Sequence, residues 1–197
     1  MSVEFIRGPN VYLREMIPSD LTNIHGSLVD WSWFPYSVDE TKNVMRPHLQ
    51  HLRYLERPYK DNLRYWESFV VCKVSDNSFV GFKTFTVDNK EVTIGFNAAP
   101  PALRGQGLMN EAAKLLDAAL FTELNCPSYT DQLDPEYITN LRPYHTLEGT
   151  ELSQRSNRTL KNVKTTKEDY DTWAAANSSS IPSYTFSGGS YTPPQDR

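Results

Sequence analysis

Arg104-Gly105-Gln106-Gly107 stands between a segment of alternating apolar residues and the strongest amphipathic run in the chain. Residues of these types at this spacing suit an anion. Glycines let backbone approach a ligand closely. The free N–H groups of a helix's first turn point at negative oxygens, helped by the helix dipole. The loop lacks the Lys-Ser/Thr ending of a nucleoside-triphosphate loop and the three-glycine dinucleotide fingerprint. The strands before it are hairpin-connected rather than joined by a helix. A pyrophosphate on a backbone cradle fits best, and a glycine-containing turn that merely caps a core helix is the plain alternative.

Other residues carry less chemistry. His48-x-x-His51 has no third ligand at metal-binding spacing, so no metal is expected. Cys72 alternates within a strand and reads as core. Cys126 borders Pro127 without a base beside it, which argues against a nucleophile. Arg155, Arg158, Lys161, Lys164 and Lys167 recur every three residues and read as a solvated face, with an anionic partner as the alternative. The aromatic cluster Trp31–Tyr36 reads as a core lid over the first helices.

Elements must position the loop. Asn10–Glu15 alternates as a strand, and Pro18-Ser19-Asp20 opens a helix with Leu21, Ile24 and Leu28 on one side. Ser37 and Glu40 stand at capping-box spacing before a helical stretch interrupted by Pro47. Phe69–Val74 and Phe79–Val87, joined by Ser75-Asp76-Asn77-Ser78, predict a hairpin, and Glu91–Phe96 continues it. The helix after the loop runs from about Gly107 to Leu124, its stripe made of Met109, Ala112, Ala113, Leu116, Ala119, Leu120 and Leu124. Asn125–Arg158 is polar, holds three prolines and shows no clean period. Thr159–Val163 reads as a strand, and Thr165-x-x-Glu168 as a second capping box. Asn177–Arg197, rich in Ser, Thr, Gly and Pro, reads as a flexible tail or an arm that orders on a partner or in an oligomer.

The run Ile94–Ala112 resembles motif A of the general-control-related N-acetyltransferases (GNAT), and the order of elements over Val11–Leu124 is similar too. Arg104-Gly105-x-Gly107-x-x-x-Glu111-Ala112 resembles the branch that acetylates ribosomal-protein N-termini. The resemblance implies acetyl-CoA as co-substrate, with the backbone N–H groups of Leu103, Arg104, Gly105, Gln106, Gly107 and Leu108 on its pyrophosphate and Arg104 adding charge. It implies that Phe96, Asn97 and Ala98 present strand edge to the pantetheine amides. The loop following the first helix would line the acceptor pocket. The sequence departs from the family at Ala102, where Gln or Arg is usual, and at Thr93, where a Glu base is frequent; Glu91 is the substitute candidate. Leu133-Asp134-Pro135-Glu136 resembles the end of the fifth strand, Tyr137–Gly149 lies where a helix belongs, and Tyr144 falls on the position of the general-acid tyrosine.

Composition bounds the rest. The chain has 197 residues, 20 Lys plus Arg against 24 Asp plus Glu and a net charge of -4; a dedicated nucleic-acid binder shows a strongly basic face instead. Hydrophobic residues make up 39%, enough for a core, so wholesale disorder is excluded. No apolar run approaches the ~18–20 residues of a membrane helix. The opening MSVEFIRGPN has no signal-peptide apolar region. Two cysteines make no disulfide framework, so a cytoplasmic protein without membrane contact is expected.

Together these give an α/β (α+β) fold: a mixed, mostly antiparallel six- to seven-stranded sheet with helices on both faces over 1–176, and a tail over 177–197. The expected function is acetyl transfer from acetyl-CoA to a primary amine, either a protein N-terminus or a small amine. The alternative is a non-catalytic protein of the same shape, such as a viral particle component or a regulatory subunit.

Overall fold

Apolar alternation along the chain divides the buried residues into two layers. Val11, Leu13, Phe69, Val71, Phe85, Val92 and Ile94 share one core cluster, and Tyr12, Val70, Cys72, Phe82 and Ala98 share a second. Successive residues of a strand face opposite ways, so the two clusters are the two faces of one sheet. The computed structural model describes residues 4–28, 37, 39–41, 65–88, 91–133, 141–153 and 158–187.

Among the described residues nine strands make that sheet: β1 (Glu4–Arg7), β2 (Val11–Glu15), β3 (Tyr65–Lys73), β4 (Phe79–Asp88), β5 (Glu91–Ala98), β6 (Ser128–Leu133), β7 (Thr146–Ser153), β8 (Arg158–Thr166) and β9 (Thr185–Phe186). Their order is β7-β8-β6-β5-β4-β3-β2-β1-β9. Among the described residues every neighbouring pair is antiparallel except β5 with β6. α1 (Leu21–Leu28) packs on one face through Leu21, Ile24 and Leu28. α2 (Leu108–Ala118) and α3 (Lys167–Ala176) cover the other through Ala112, Leu115, Leu116 and Tyr170. Helices therefore lie on both faces, as expected. The sheet exceeds the expected six or seven strands.

The unexpected strands have physical reasons for being hard to read. β7 is an edge strand whose Leu147 and Leu152 remain 47% and 57% exposed, so it shows no buried alternation. The expectation of a helix through Gly149 is corrected: Pro143-Tyr144 lies in a turn and Thr146 begins β7. β9 is two residues long and pairs with Ile6 and Arg7 of β1. The tail expected from Asn177 is corrected as far as Ser187. Phe186 meets Phe5 edge-on at 5.2 Å, and the Tyr184 hydroxyl donates to Glu123 Oε1 at 2.9 Å. A few aromatics suffice to dock a polar segment. Residues 188–197 lie outside the described residues.

Two further readings shift. The second capping box is one residue later: Asp169 N–H donates to Thr166 Oγ1 at 3.1 Å, because Thr165 is buried on the core face of β8. The three-residue basic period falls mostly on β8, which contains Arg158. Lys161 and Lys164 lie on a strand, and Lys167 opens α3 paired with Asp171 at 2.8 Å. The first box is present, with Ser37 N–H on Glu40 Oε2 at 2.6 Å. Arg155, His48, His51 and Trp31–Tyr36 lie outside the described residues. Among the described residues no helix is long and apolar enough to cross a membrane.

Candidate active site

The loop that enters α2 has the conformation its glycines permit. Gly105 and Gly107 take φ of 76° and 77°, the left-handed region, and Gly107 is the N-cap of α2. Nothing lies within 4 Å of the position a Cβ would occupy on either glycine, so the concave side is open. Glu111 N–H closes the first turn on Gly107 C=O at 3.0 Å. Among the described residues, the N–H groups of Gly105, Gln106, Gly107 and Leu108 have no backbone acceptor. Such donors at the positive end of a helix suit phosphate oxygens.

Two carried-over donors are corrected. Leu103 N–H bonds Pro100 C=O at 2.9 Å and Arg104 N–H bonds Pro101 C=O at 3.2 Å, so both are spent on the turn before the loop. The Arg104 guanidinium also has protein partners. Its Nε donates to Ala99 C=O at 2.9 Å and one terminal nitrogen reaches Ser27 C=O at 3.4 Å. It thus ties the loop to the last turn of α1, and any charge it lends an anion is lent from that seat.

Beside the loop, the sheet opens. β5 and β6 pair only at Val92–Tyr129 and Thr93–Thr130, after which the parallel strands separate. Ile94–Ala98 therefore offers an edge without a β6 partner, and it contains Asn97 and Ala98 as expected. Gly95 and Phe96 stand opposite the single Thr84, which makes a bulge. A Cβ on Gly95 would come 2.5 Å from Thr84 Oγ1, so only glycine fits there. On the α1 side of the closed end, Thr93 and Thr130 hydroxyls are 3.2 Å apart. Glu91 opens β5 in register with Asp88.

Sequence reading missed a buried polar cluster on the α2 side of this opening. Asp117 of α2 accepts from the Tyr144 hydroxyl at 2.6 Å and from the Tyr129 hydroxyl at 3.0 Å. Arg142 Nε stands 3.2 Å from Asp117 Oδ2 without hydrogen-bond alignment, and its Nη1 is 3.0 Å from His145 Nε2. Lys83 of β4 is 3% exposed and Asp131 belongs to β6. Burial, reinforced by the Arg142 charge, brings the Lys83 ammonium down to about 8 against the pull of Asp117 and Asp131. Burial raises Asp131 to about 6, with Lys83 opposing. Burial and Arg142 push His145 down to about 4. The one signal in the sequence was Asp117 itself, four residues after Ala113 on the apolar stripe.

This cluster corrects the expectation for Tyr144. It is 4% exposed, its hydroxyl is committed to Asp117, and burial next to that carboxylate drives its acidity far down. Tyr144 ties the turn before β7 to α2. The cysteines are inert: Cys72 is buried with its thiol pushed up by burial, and Cys126 is pushed up to about 11 by burial. Glu111 is a clamp, accepting from Asn10 N–H at 2.9 Å and Val11 N–H at 3.1 Å to hold the β1–β2 turn on α2. Among the described residues no group of three or more His, Cys, Asp or Glu could hold a metal.

Residues 10–138 match the family model of the acetyltransferase (GNAT) domain. The chain belongs to that family. Its fold is similar to a GNAT-family acetyltransferase from Bacillus anthracis, with a TM-score of 0.64 and 16% identity over 83% of this chain and 99% of the other. It is also similar to a spermidine/spermine N-acetyltransferase from Vibrio cholerae, with a TM-score of 0.59 and 18% identity over 84% of this chain and 97% of that one. A nucleotide-linked sugar GNAT, FdhC, gives a TM-score of 0.65 at 12% identity over 90% and 98%. No curated protein sequence matches. GNAT domains are acyltransferases that use acetyl-CoA as co-substrate. Tyr144 and the buried turn around it lie beyond the matched residues.

Proposed function

We propose that the protein binds acetyl-CoA with its pyrophosphate on the N–H groups of Gly105–Leu108 and transfers the acetyl group to a primary amine, a protein N-terminus or a small amine. The observation that carries this reading is the open, left-handed loop on the N-terminus of α2 next to the unpaired Ile94–Ala98 edge. An arm bonded along that edge leads from the loop to the bulge at Gly95–Phe96. Phe96, Asn97 and Ala98 supply the edge.

The chemistry is direct attack. An amine entering the wedge loses a proton through Glu91 or a relayed water and attacks the thioester carbon. Alignment of amine and thioester between the splayed strands supplies most of the rate. Backbone N–H groups at the bulge polarise the carbonyl. The spermidine/spermine neighbour supports a small polyamine as acceptor, and the Arg104-Gly105-x-Gly107-x-x-x-Glu111-Ala112 run supports a protein N-terminus.

Titration calorimetry with acetyl-CoA tests the binding. Thiol release from acetyl-CoA in the presence of spermidine, or of a peptide with a free amino-terminal serine, then tests the transfer. No heat of binding overturns the reading. Release with spermidine alone selects the polyamine, and release with the peptide alone selects the N-terminus.

A further inference from the structure

The departing sulfur needs a proton, and the Tyr144 hydroxyl is committed elsewhere. Building on the acetyl-transfer reading, we propose that Lys83 is the acid that protonates the sulfur of CoA.

Lys83 lies in register with Phe69 of β3 and Asn97 of β5. Phe69 belongs to the core under α2, so Lys83 faces α2, whereas its other partner Asn97 is exposed on the unpaired edge. The charges that act on its ammonium come from three other elements: Asp117 of α2, Asp131 of β6 and Arg142 of the turn before β7. Asp117 is itself bonded by Tyr129 and Tyr144, and Tyr129 meets His145, whose ring feels the Lys83 charge. Asp131 follows Thr130, the last residue of β6 that pairs with β5. Lys83 therefore stands on the α2 side, one residue from Thr84 and the bulge at Gly95–Phe96, with Asp131 just past the last paired residue of β6. From Ala98 back to the bulge is two to three residues, roughly 7–10 Å at strand rise. An acetyl arm that starts at Gly107 and follows that edge puts its carbonyl at the bulge and its sulfur beside the rung that Lys83 shares with Asn97.

Retaining a buried ammonium opposes stability unless it is paired. Here the charges of Asp117 and Asp131 support it against burial and Arg142, and its acidity is raised into the range where a proton can be held at neutral pH and given up during turnover. Arginine in the same place would keep the charge and hold its proton too tightly. In the step, the amine nitrogen bonds to the carbonyl carbon and the C–S bond breaks with its electron pair on sulfur. Sulfur takes the Lys83 proton and leaves as a thiol. The proton lost by the amine passes to solvent, and Lys83 regains one from solvent.

The test uses Lys83→Met and Lys83→Arg in the full chain, with thiol release from acetyl-CoA and the amine that the unaltered protein accepts. Both variants should bind acetyl-CoA about as the parent does and lose about 100-fold in kcat, the low end of general-acid assistance. The fall of kcat above pH 8 in the parent should vanish in both. Arginine restoring the rate assigns Lys83 a purely structural charge and overturns the proposal, as does an unchanged kcat in Lys83→Met. Should neither variant fold, the parent alone decides: a kcat that stays flat from neutral to alkaline pH overturns it. Binding of acetyl-CoA without thiol release to either amine overturns the transfer reading and this role together.

Discussion

The Tyr144 hydroxyl donates to Asp117 Oδ2 at 2.6 Å in a site where both residues are buried. A turn that precedes β7 is thereby fastened to the last turn of α2. Tyr144→Phe keeps the ring against Trp173, 4.7 Å away between centroids, and removes one of the donors on a buried carboxylate. The loss should be about 1.5–3 kcal/mol of unfolding free energy, the range for hydrogen bonds to charged groups. Turnover should stay near the parent value. Denaturant unfolding measured beside kcat separates the two, and a large drop in kcat with unchanged stability would return Tyr144 to the role of acid.

Gly107 caps α2 at φ 77° with open space around it. Gly107→Val places a β-branched side chain both in a left-handed conformation and on the phosphate side of the loop. Strain of about 1–2 kcal/mol is expected from the backbone alone, which a domain of this size survives. Calorimetric titration should show acetyl-CoA binding lost while unfolding remains cooperative. Parental affinity in this variant would move the site away from the loop.

His145 is held neutral by burial and by Arg142, with its pKa brought from the usual 6.5 to about 4. Its contribution to stability is complete above pH 6.5 and is lost as pH falls toward 4, because the unfolded chain takes up a proton that the folded one refuses. Asp131 works in the opposite direction, since its raised carboxyl binds a proton in the folded state first, at about 6. Comparing the parent with His145→Asn removes that common background. Between pH 6.5 and 4 the difference in stability should shrink with a slope of about one proton, as read from urea unfolding at stepped pH. A constant difference would mean that His145 titrates normally.

The β9 segment is anchored by Phe186 on Phe5 and by Tyr184 on Glu123. A chain ending at Asn177 should melt about 5 °C lower, since ~2 kcal/mol of lost packing moves a domain of this size by roughly 2–4 °C per kcal/mol. Phe186→Ala should reproduce part of that loss. A melting point equal to the parent's would show that β9 adds nothing.

The loop was legible in the sequence because its geometry depends on particular residue types. Left-handed backbone demands glycine at 105 and 107, and an amphipathic stripe announces the helix behind them. β2 to β5 and α1 were legible for a related reason, since each buries an alternating or periodic face. The cluster of Lys83, Asp117, Asp131 and Arg142 was not legible. Its members come from four elements far apart in the chain, and each alone resembles an ordinary surface charge. β7 and β9 were missed because an exposed edge strand and a two-residue strand leave no apolar pattern to read. Arg104 was noticed as a charge. Its bonds to Ala99 and Ser27 follow from where α1 ends, which no local spacing encodes.

Ser187 N–H donates to Phe5 C=O at 2.9 Å, so positions early and late in the chain sit on neighbouring strands. A bridge of a few residues between them would close the polypeptide into a ring without moving the sheet. That ring could be cut at the exposed Asp76–Asn77 turn between β3 and β4, giving a circular permutant that begins just before β4. In such a molecule the pyrophosphate loop, α2 and β6 would be made in the first half of synthesis rather than the middle.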